Sequence, residues 1–163
     1  MRTLVLHFLE DFWGKSFLNL PDLLKIKTLL KKEGLDKNTI IIFLGDNGYF
    51  LGERQFADKW LMYDKSLRVP MMIYDPRNTT HRVVEDEVLN IDIAPTIFGF
   101  AGLRQPQSWQ GVNLAGYTKA ASPAKSRVDF LCEHLLKVDI IPSSEGFRTN
   151  KWNYFRYRED LKH

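Results

Sequence analysis

The residues Thr39-Ile40-Ile41-Ile42-Phe43-Leu44 form an apolar run that leads directly into Gly45-Asp46-Asn47-Gly48. A short β-branched and aromatic run closed by glycine is typical of a buried strand in a parallel sheet. Polar ligands of such sheets bind just beyond the carboxyl ends of the strands, where Asp46 and Asn47 stand. The sequence therefore predicts an α/β domain with a candidate site directly after this strand.

Apolar residues on both sides of the strand complete the α/β pattern. Leu23, Ile26 and Leu30 recur at helical spacing and Gly34 supplies a stop, so a helix is predicted to lead into the strand. Residues 70–74 form a second strand-like run beyond the loop. A helix followed by a buried strand is half of a doubly wound unit.

A second helix is predicted over residues 92–101. Pro95 suits its first turn, Gly102 suits its end, and one face is apolar enough to join a core. Asp92 opens this segment, and we interpret it as a helix cap rather than a catalytic acid.

The composition changes from about residue 104, where loops rich in proline, serine and glutamine begin. Three strand-like segments follow, and a turn at residues 149–151 predicts an antiparallel hairpin. These segments are residues 126–132, 145–148 and 152–157. The predicted domains are a partial α/β domain over residues 1–103 and an antiparallel-sheet subdomain over residues 104–163.

Asp46 and Asn47 offer a charged and a neutral oxygen side by side. Such oxygens suit a hard cation such as calcium, which takes about six to eight oxygen ligands. The alternative is an Asx turn, because Asp-Asn-Gly is also ordinary turn chemistry. The residues alone leave both interpretations open.

Five short motifs follow one another in order along the chain. They are Gly45-Asp46-Asn47-Gly48, Asp58-Lys59-Trp60, Leu67-Arg68-Val69-Pro70, Asp92-Ile93-Ala94-Pro95-Thr96 and Glu145-Gly146-Phe147-Arg148-Thr149. Their order resembles the second half of the sulfatases of the alkaline phosphatase superfamily, over roughly residue 34 onward. The resemblance implies the C-terminal portion of an alkaline-phosphatase-like doubly wound sheet, followed by a small α+β subdomain with an antiparallel sheet.

In that family, a formylglycine hydrate made from the motif Cys/Ser-x-Pro/Ala-x-Arg attacks a sulfate ester, with calcium beside it. The resemblance implies that Asp46 and Asn47 are calcium ligands and that Lys59 holds a sulfate oxygen. A divalent cation and an ammonium group would offset the charge that builds on the transferred group. The implied substrate is a sulfated small molecule or glycan.

Two further residues are candidates for substrate contact. Many relatives have histidine where this chain has Arg54, and an arginine there could meet an anionic substrate. His134, beside Glu133, could reach the pocket, although a paired structural histidine is the preferred interpretation. Without the family pattern, Lys59 itself would be interpreted as a solvated surface lysine.

The N-terminal half of the family pattern is absent from these 163 residues. The single cysteine, Cys132, lacks the proline and arginine of the modification motif, and we interpret it as a small apolar residue on a half-buried strand. Because covalent catalysis needs a nucleophile, the chain is predicted to be inactive alone. Missing strands would leave the Thr39 strand with an unpaired edge, which favours a separate N-terminal sulfatase chain or self-association through that edge.

Composition and charge narrow the possible partners. An apolar fraction of 44% is that of a globular protein, and scattered basic residues with a formal charge of +3 do not indicate nucleic acid. No apolar run reaches the length of a membrane span, so no membrane partner is predicted. Residues 1–11 imitate only the start of a signal peptide, although many relatives are exported. We therefore expect that the true N-terminus is missing, and localisation stays open.

Two other functions fit the same residues. A phosphoester or phosphonate ester hydrolase of the same superfamily could use a metal and a lysine on its own oxyanion. A non-catalytic module could bind calcium or a sulfated glycan through the retained half-site. The nucleophile region would separate the first alternative from a sulfatase.

Overall fold

The computed structural model describes residues 3–9, 20–78, 80–119, 127–136 and 141–158. The chain folds as two compact units. We call residues 1–46 with 70–126 the α/β unit, and residues 47–69 with 127–163 the hairpin unit. The division of the sequence between residues 103 and 104 stays a prediction.

The α-helices and strands include the elements that the residue patterns predict, together with four short or N-terminal elements that they do not. They are β1 (Thr3–Leu9), α1 (Leu20–Lys32), β2 (Thr39–Gly45), β3 (Phe50–Leu51), β4 (Ala57–Asp58), α2 (Asp64–Leu67), β5 (Met71–Tyr74), α3 (Ile93–Ala101), β6 (Asp129–His134), β7 (Ser144–Thr149) and β8 (Asn153–Tyr157). The predicted α1, β2, β5 and α3 are confirmed within a few residues. None of the described helices is both long and apolar enough to cross a membrane.

The sheet of the α/β unit has the order β1-β2-β5, with β2 in the centre. Strand β1 runs parallel to β2 from the pair Thr3 and Thr39 onward, whereas β5 is antiparallel to β2. The expected unpaired edge on the Thr39 strand is therefore wrong, because β2 is paired on both sides. Residues 3–9 are an apolar run of strand length, which the sequence analysis weighed only as the start of a signal peptide.

The core of the α/β unit forms where α3 packs on the sheet. Its buried residues are Ile40, Ile42, Leu44, Ile93 and Phe100. Alternate residues of a strand share one face, so β2 contributes three side chains to this core. The predicted apolar face of α3 is confirmed by the buried Ile93 and Phe100. This packing holds β2, which ends at Gly45 directly before Asp46.

Asp92 is fully buried at the start of α3. Its carboxylate accepts hydrogen bonds from the backbone N–H of Leu89 at 2.7 Å and of Val112 at 2.8 Å. Asp92 therefore satisfies two backbone donors from segments on either side of α3, which is a structural role. Asp92 occupies the N-cap position of α3, as predicted, but its side chain accepts no hydrogen bond from that helix.

The hairpin unit contains an antiparallel sheet of order β6-β7-β8. The predicted hairpin is confirmed, since the N–H of Thr149 donates to the carbonyl of Trp152 across the turn. Residues 47–69 pack on this sheet through an edge-to-face contact between Tyr63 and Phe155, with ring centroids 5.1 Å apart. The side-chain amide of Asn153 also donates to the carbonyl of Met62 at 2.8 Å.

Acid should destabilise the α/β unit through Asp75, which is 4% exposed. Hydrogen bonds from the Arg77 side chain hold the pKa of this carboxyl below its ordinary value. Because the folded-state pKa is lowered, the stabilisation is present above the unfolded pKa of about 3.9 and is lost as pH falls through the folded value. Urea unfolding at neutral and acidic pH should show this loss, and Arg77→Gln should reduce it. Equal acid sensitivity in the variant would contradict the assignment.

Candidate functional site

Asp46 ends the α/β unit directly after β2, and its side chain is exposed. The side-chain amide of Asn90 donates to the Asp46 carbonyl at 3.0 Å. This bond ties the backbone of Asp46 to the segment that precedes α3. Asn90 was not predicted as a site residue. Its only indication in the sequence is its position directly before the Asp92 motif.

Asn47 and Lys59 are brought together in the hairpin unit, although twelve positions separate them. The Lys59 ammonium donates to Asn47 Oδ1 at 3.1 Å, and the Asn47 amide nitrogen donates to the Gly48 carbonyl at 2.8 Å. Both side chains are half-buried. The structure therefore joins two of the predicted site residues by a direct hydrogen bond to a charged donor, which is stronger than a neutral one.

The backbone around Lys59 is held in unusual conformations. Among the described residues, four other than glycine have positive φ, and Asp58 (φ 74°) and Trp60 (φ 84°) flank Lys59 directly. The other two are Arg54 and Gln55. Bulky residues rarely adopt this region, so surrounding contacts must hold the loop in place. Those contacts include the buried Phe50, whose ring packs edge-on against Phe56 and Tyr63.

Arg54 lies on this aromatic cluster. Its guanidinium carbon is 5.0 Å from the centroid of the Tyr63 ring, which is within the range of a cation–π contact. The adjacent Glu53 forms an ion pair with Lys65 at 3.2 Å. Arg54 is exposed, so its role in substrate contact stays a prediction.

His134 lies beside Trp60, with ring centroids 5.1 Å apart. The Nε2 atom of His134 and the hydroxyl of its cross-strand partner Ser144 are buried and have no hydrogen-bond partner among the described residues. Glu133 cannot pair with this histidine, because consecutive residues of β6 point to opposite faces of the sheet. The Nε2 atom of His134 is therefore a buried polar atom whose hydrogen bond is not satisfied by the described residues.

Trp60 was missed as a site residue. Its ring contacts His134 and also lies 5.1 Å from the Lys59 ammonium. Trp60 thus links the two candidates for anion contact, and it is about one-third exposed. Its position directly after the lysine was visible in the sequence, but no spacing rule assigns a role to it.

Cys132 lies on β6 and is half-buried, and burial raises the pKa of its thiol. A raised pKa disfavours the thiolate, which is the reactive form. The interpretation of Cys132 as an apolar strand residue is therefore confirmed.

The donor chemistry of the two metal candidates decides whether they fit calcium. Asp46 and Asn47 supply a carboxylate and an amide oxygen, both of which suit a hard cation. The described residues hold no group of three or more histidine, cysteine, aspartate or glutamate side chains that could bind a metal ion. The two oxygens therefore fit calcium as part of a larger ligand set.

Gly48 must be glycine because the chain passes very close to a neighbouring segment. Its N–H donates to the Ser66 carbonyl at 2.9 Å, and a β-carbon at this position would lie 2.1 Å from the backbone oxygen of Lys65. No side-chain rotation can relieve a clash with backbone.

Gly48→Ala is therefore expected to displace Asn47 and lengthen its bond to Lys59. The side-chain amide resonance of Asn47 in an NMR spectrum should shift or broaden, and stability should fall by about 1–3 kcal/mol. Gly52→Ala is a matched control with open space around its β-carbon, although its positive φ adds some strain. An unchanged Asn47 resonance in Gly48→Ala would contradict the packing described above.

Comparison with known families gives a match over residues 52–163 to the model for the C-terminal region of N-sulphoglucosamine sulphohydrolase. Among curated proteins, the N-acetylglucosamine-6-O-sulfatase of Bacteroides thetaiotaomicron is 36% identical over 147 residues, covering 84% of this chain and 25% of that protein. The human N-acetylglucosamine-6-sulfatase is 31% identical over 141 residues, covering 82% of this chain and 25% of that protein. The chain thus spans about a quarter of the length of these relatives.

Solved structures show the same fold. A structure determined in complex with its substrate D-glucosamine-2-N,6-O-disulfate matches with a TM-score of 0.73 and 26% identity, covering 88% of this chain and 30% of that chain. The phosphonate monoester hydrolase of Agrobacterium radiobacter matches with a TM-score of 0.75 and 23% identity, covering 84% of this chain and 30% of that chain. The second match concerns the fold alone.

Proposed function

Because the chain belongs to the sulfatases of the alkaline phosphatase superfamily, we propose that it supplies the C-terminal half-site of an enzyme that hydrolyses sulfate esters. The observation that carries the proposal is the contact between Asn47 and Lys59 at 3.1 Å. This contact puts an amide oxygen, which could bind a metal, beside an ammonium group, which could bind an anion.

Asp46 and Asn47 would hold the calcium ion in this proposal. Calcium, when bound, would polarise the oxygens of the sulfate ester and favour an ionised nucleophile. The backbone bond from Asn90 to Asp46 and the amide bond from Asn47 to Gly48 would orient the two ligand residues. Preorganised ligands lose less entropy when the ion binds.

Lys59 would bind an oxygen of the sulfate group and offset the charge that builds on it during transfer. Its half-buried position favours this role, because an ammonium group shielded from water interacts more strongly with an anion. His134 would donate a hydrogen bond from its buried Nε2 to a polar group of the substrate. Arg54 would attract the anion from the surface of the loop.

The nucleophile would come from outside these 163 residues. Cys132 has neither the modification motif nor a favoured thiolate, so it does not supply the nucleophile. The substrate class would be a sulfated small molecule or glycan. The similar solved structure that binds D-glucosamine-2-N,6-O-disulfate favours a sulfated amino sugar as the proposed substrate of this chain.

A chimera tests this function. The aligned segment of the Bacteroides thetaiotaomicron N-acetylglucosamine-6-O-sulfatase would be replaced by this chain, and the release of sulfate from an N-acetylglucosamine 6-sulfate substrate would be measured. We expect activity well above that of the same enzyme with the segment deleted. A folded chimera that hydrolyses a phosphonate ester but no sulfate ester would favour the related phosphonate hydrolases instead.

The isolated chain should bind calcium only weakly. Two protein oxygens leave at least four positions of the ion to water, so we expect a dissociation constant above about 10⁻⁴ M. Calorimetry should detect this binding, and Asp46→Ala should abolish it without a change in the far-ultraviolet circular dichroism spectrum. A sub-micromolar dissociation constant would contradict the incomplete ligand set.

A further inference from the structure

We propose that Lys59 is an internal cation that occupies the metal-ligating oxygen of Asn47, so that metal binding and the release of Lys59 are a single exchange. The inference rests on the proposed function, since it takes Asn47 as a metal ligand. It adds a coupling between metal binding at Asn47 and anion binding at Lys59. Neither residue type implies this coupling by itself.

The geometry of Asn47 gives the reason. Its amide nitrogen donates to the Gly48 carbonyl, which turns Oδ1 towards the Lys59 ammonium at 3.1 Å. An asparagine side chain has one oxygen, so a metal ion bound through this side chain must use the oxygen that accepts from Lys59. The ammonium and the metal therefore meet at one atom.

Both cations cannot share this oxygen cheaply. With an N–O distance of 3.1 Å and a calcium–oxygen distance of about 2.4 Å, the two charges would lie within roughly 5–6 Å of each other. Repulsion between a divalent and a monovalent cation at this distance lowers the metal affinity by about tenfold even in a high dielectric. Metal binding is therefore favoured when the ammonium moves away.

The Lys59 ammonium has a second contact in the same loop, which it can keep when it leaves Asn47. The ring of Trp60 has its centroid 5.1 Å from Lys59 Nζ, within the range of a cation–π contact. The positive φ values of Asp58 and Trp60 hold the backbone on both sides of Lys59 in rarely adopted conformations. Lys59 can therefore change its partner through its flexible side chain while the loop keeps its shape.

This exchange has a consequence for the substrate. In the metal-free chain, the Lys59 ammonium is held by Asn47, whereas in the metal-bound chain it would be available to a sulfate oxygen. Metal binding would then raise the affinity for the anion, and by linkage the anion would raise the affinity for the metal. Lys59 would thus couple the binding of the metal to the binding of the anion.

The calcium affinity of the chain and its variants tests the exchange. An NMR titration at low ionic strength would follow the side-chain amide of Asn47 while calcium chloride is added. Lys59→Met should bind calcium about tenfold more tightly than the wild type, because the competing charge is gone. Lys59→Arg keeps the charge and should stay within about twofold of the wild type. Lys65→Met is the matched control, since Lys65 is an exposed lysine of the same segment, and it should also stay within about twofold.

The outcomes separate this inference from the calcium assignment itself. Equal calcium affinity in the wild type and Lys59→Met, or an equal gain in Lys65→Met, would overturn the exchange and leave the calcium ligands in place. If no variant binds calcium, the calcium assignment fails and the exchange fails with it. Circular dichroism would confirm that each variant folds, and Lys59→Gln provides a second neutral variant if Lys59→Met does not.

Discussion

Replacement of Lys59 by methionine in the chimeric sulfatase is expected to lower kcat by about 10²–10³-fold. The loss of one preorganised donor to developing negative charge has an effect of this size, and a half-buried ammonium is such a donor. Methionine keeps the length of the side chain and its apolar packing near Trp60. The change therefore removes the charge with little change in volume. Steady-state kinetics with a sulfate ester would measure the loss of kcat.

The pattern of the kinetic loss also matters. If Lys59 binds the sulfate more strongly in the transition state than in the ground state, kcat should fall more than KM rises. Lys65→Met, in the same segment but in an ion pair with Glu53, should retain activity within about twofold. Similar activity in Lys59→Met and Lys65→Met would remove Lys59 from the site.

Asp92→Ala is expected to lower the free energy of unfolding by about 3–5 kcal/mol. The fully buried carboxylate accepts from the backbone N–H groups of Leu89 and Val112, and alanine would remove the acceptor of both part-buried donors. Each unsatisfied donor costs about 1–3 kcal/mol, and a bond to a charged acceptor lies at the upper end. Such a loss is a large fraction of the stability of a domain.

Urea unfolding followed by circular dichroism would measure this loss. Asp92→Asn keeps one acceptor oxygen and should cost less than Asp92→Ala. Asp22→Ala removes an exposed carboxylate from a surface ion pair with Lys25, and it should change stability by less than about 1 kcal/mol. A loss below about 1 kcal/mol in Asp92→Ala would show that these two backbone bonds are replaced by water.

The elements of the α/β unit could be predicted because their sequence signals are local. Gly34 has a φ of 68° and follows α1, as expected of a helix stop, and β2 begins at the predicted Thr39. The pairing of β1 could not be predicted in the same way. Pairing between strands that are 36 positions apart depends on packing, and the apolar run at residues 3–9 also resembled part of a targeting segment.

The candidate site was predictable only in its residue types. The resemblance to sulfatases pointed to Asn47 and Lys59, but no sequence rule places the ammonium of one on the amide oxygen of the other. Trp60 was missed for a related reason. Its contacts with Lys59 and His134 arise from a loop with positive φ values, and such conformations have a weak signal at residues other than glycine.

If this chain is one part of a sulfatase, the native species that contains it must be heavier than the chain or bound to a second chain. An antibody against the β7–β8 hairpin would isolate the protein from its source, and intact mass and sulfate release would be measured together. We expect a species several times heavier than 19.1 kDa, or a stable complex with a second chain, that releases sulfate from an ester. A species of 19.1 kDa without a partner and without this activity would contradict the account.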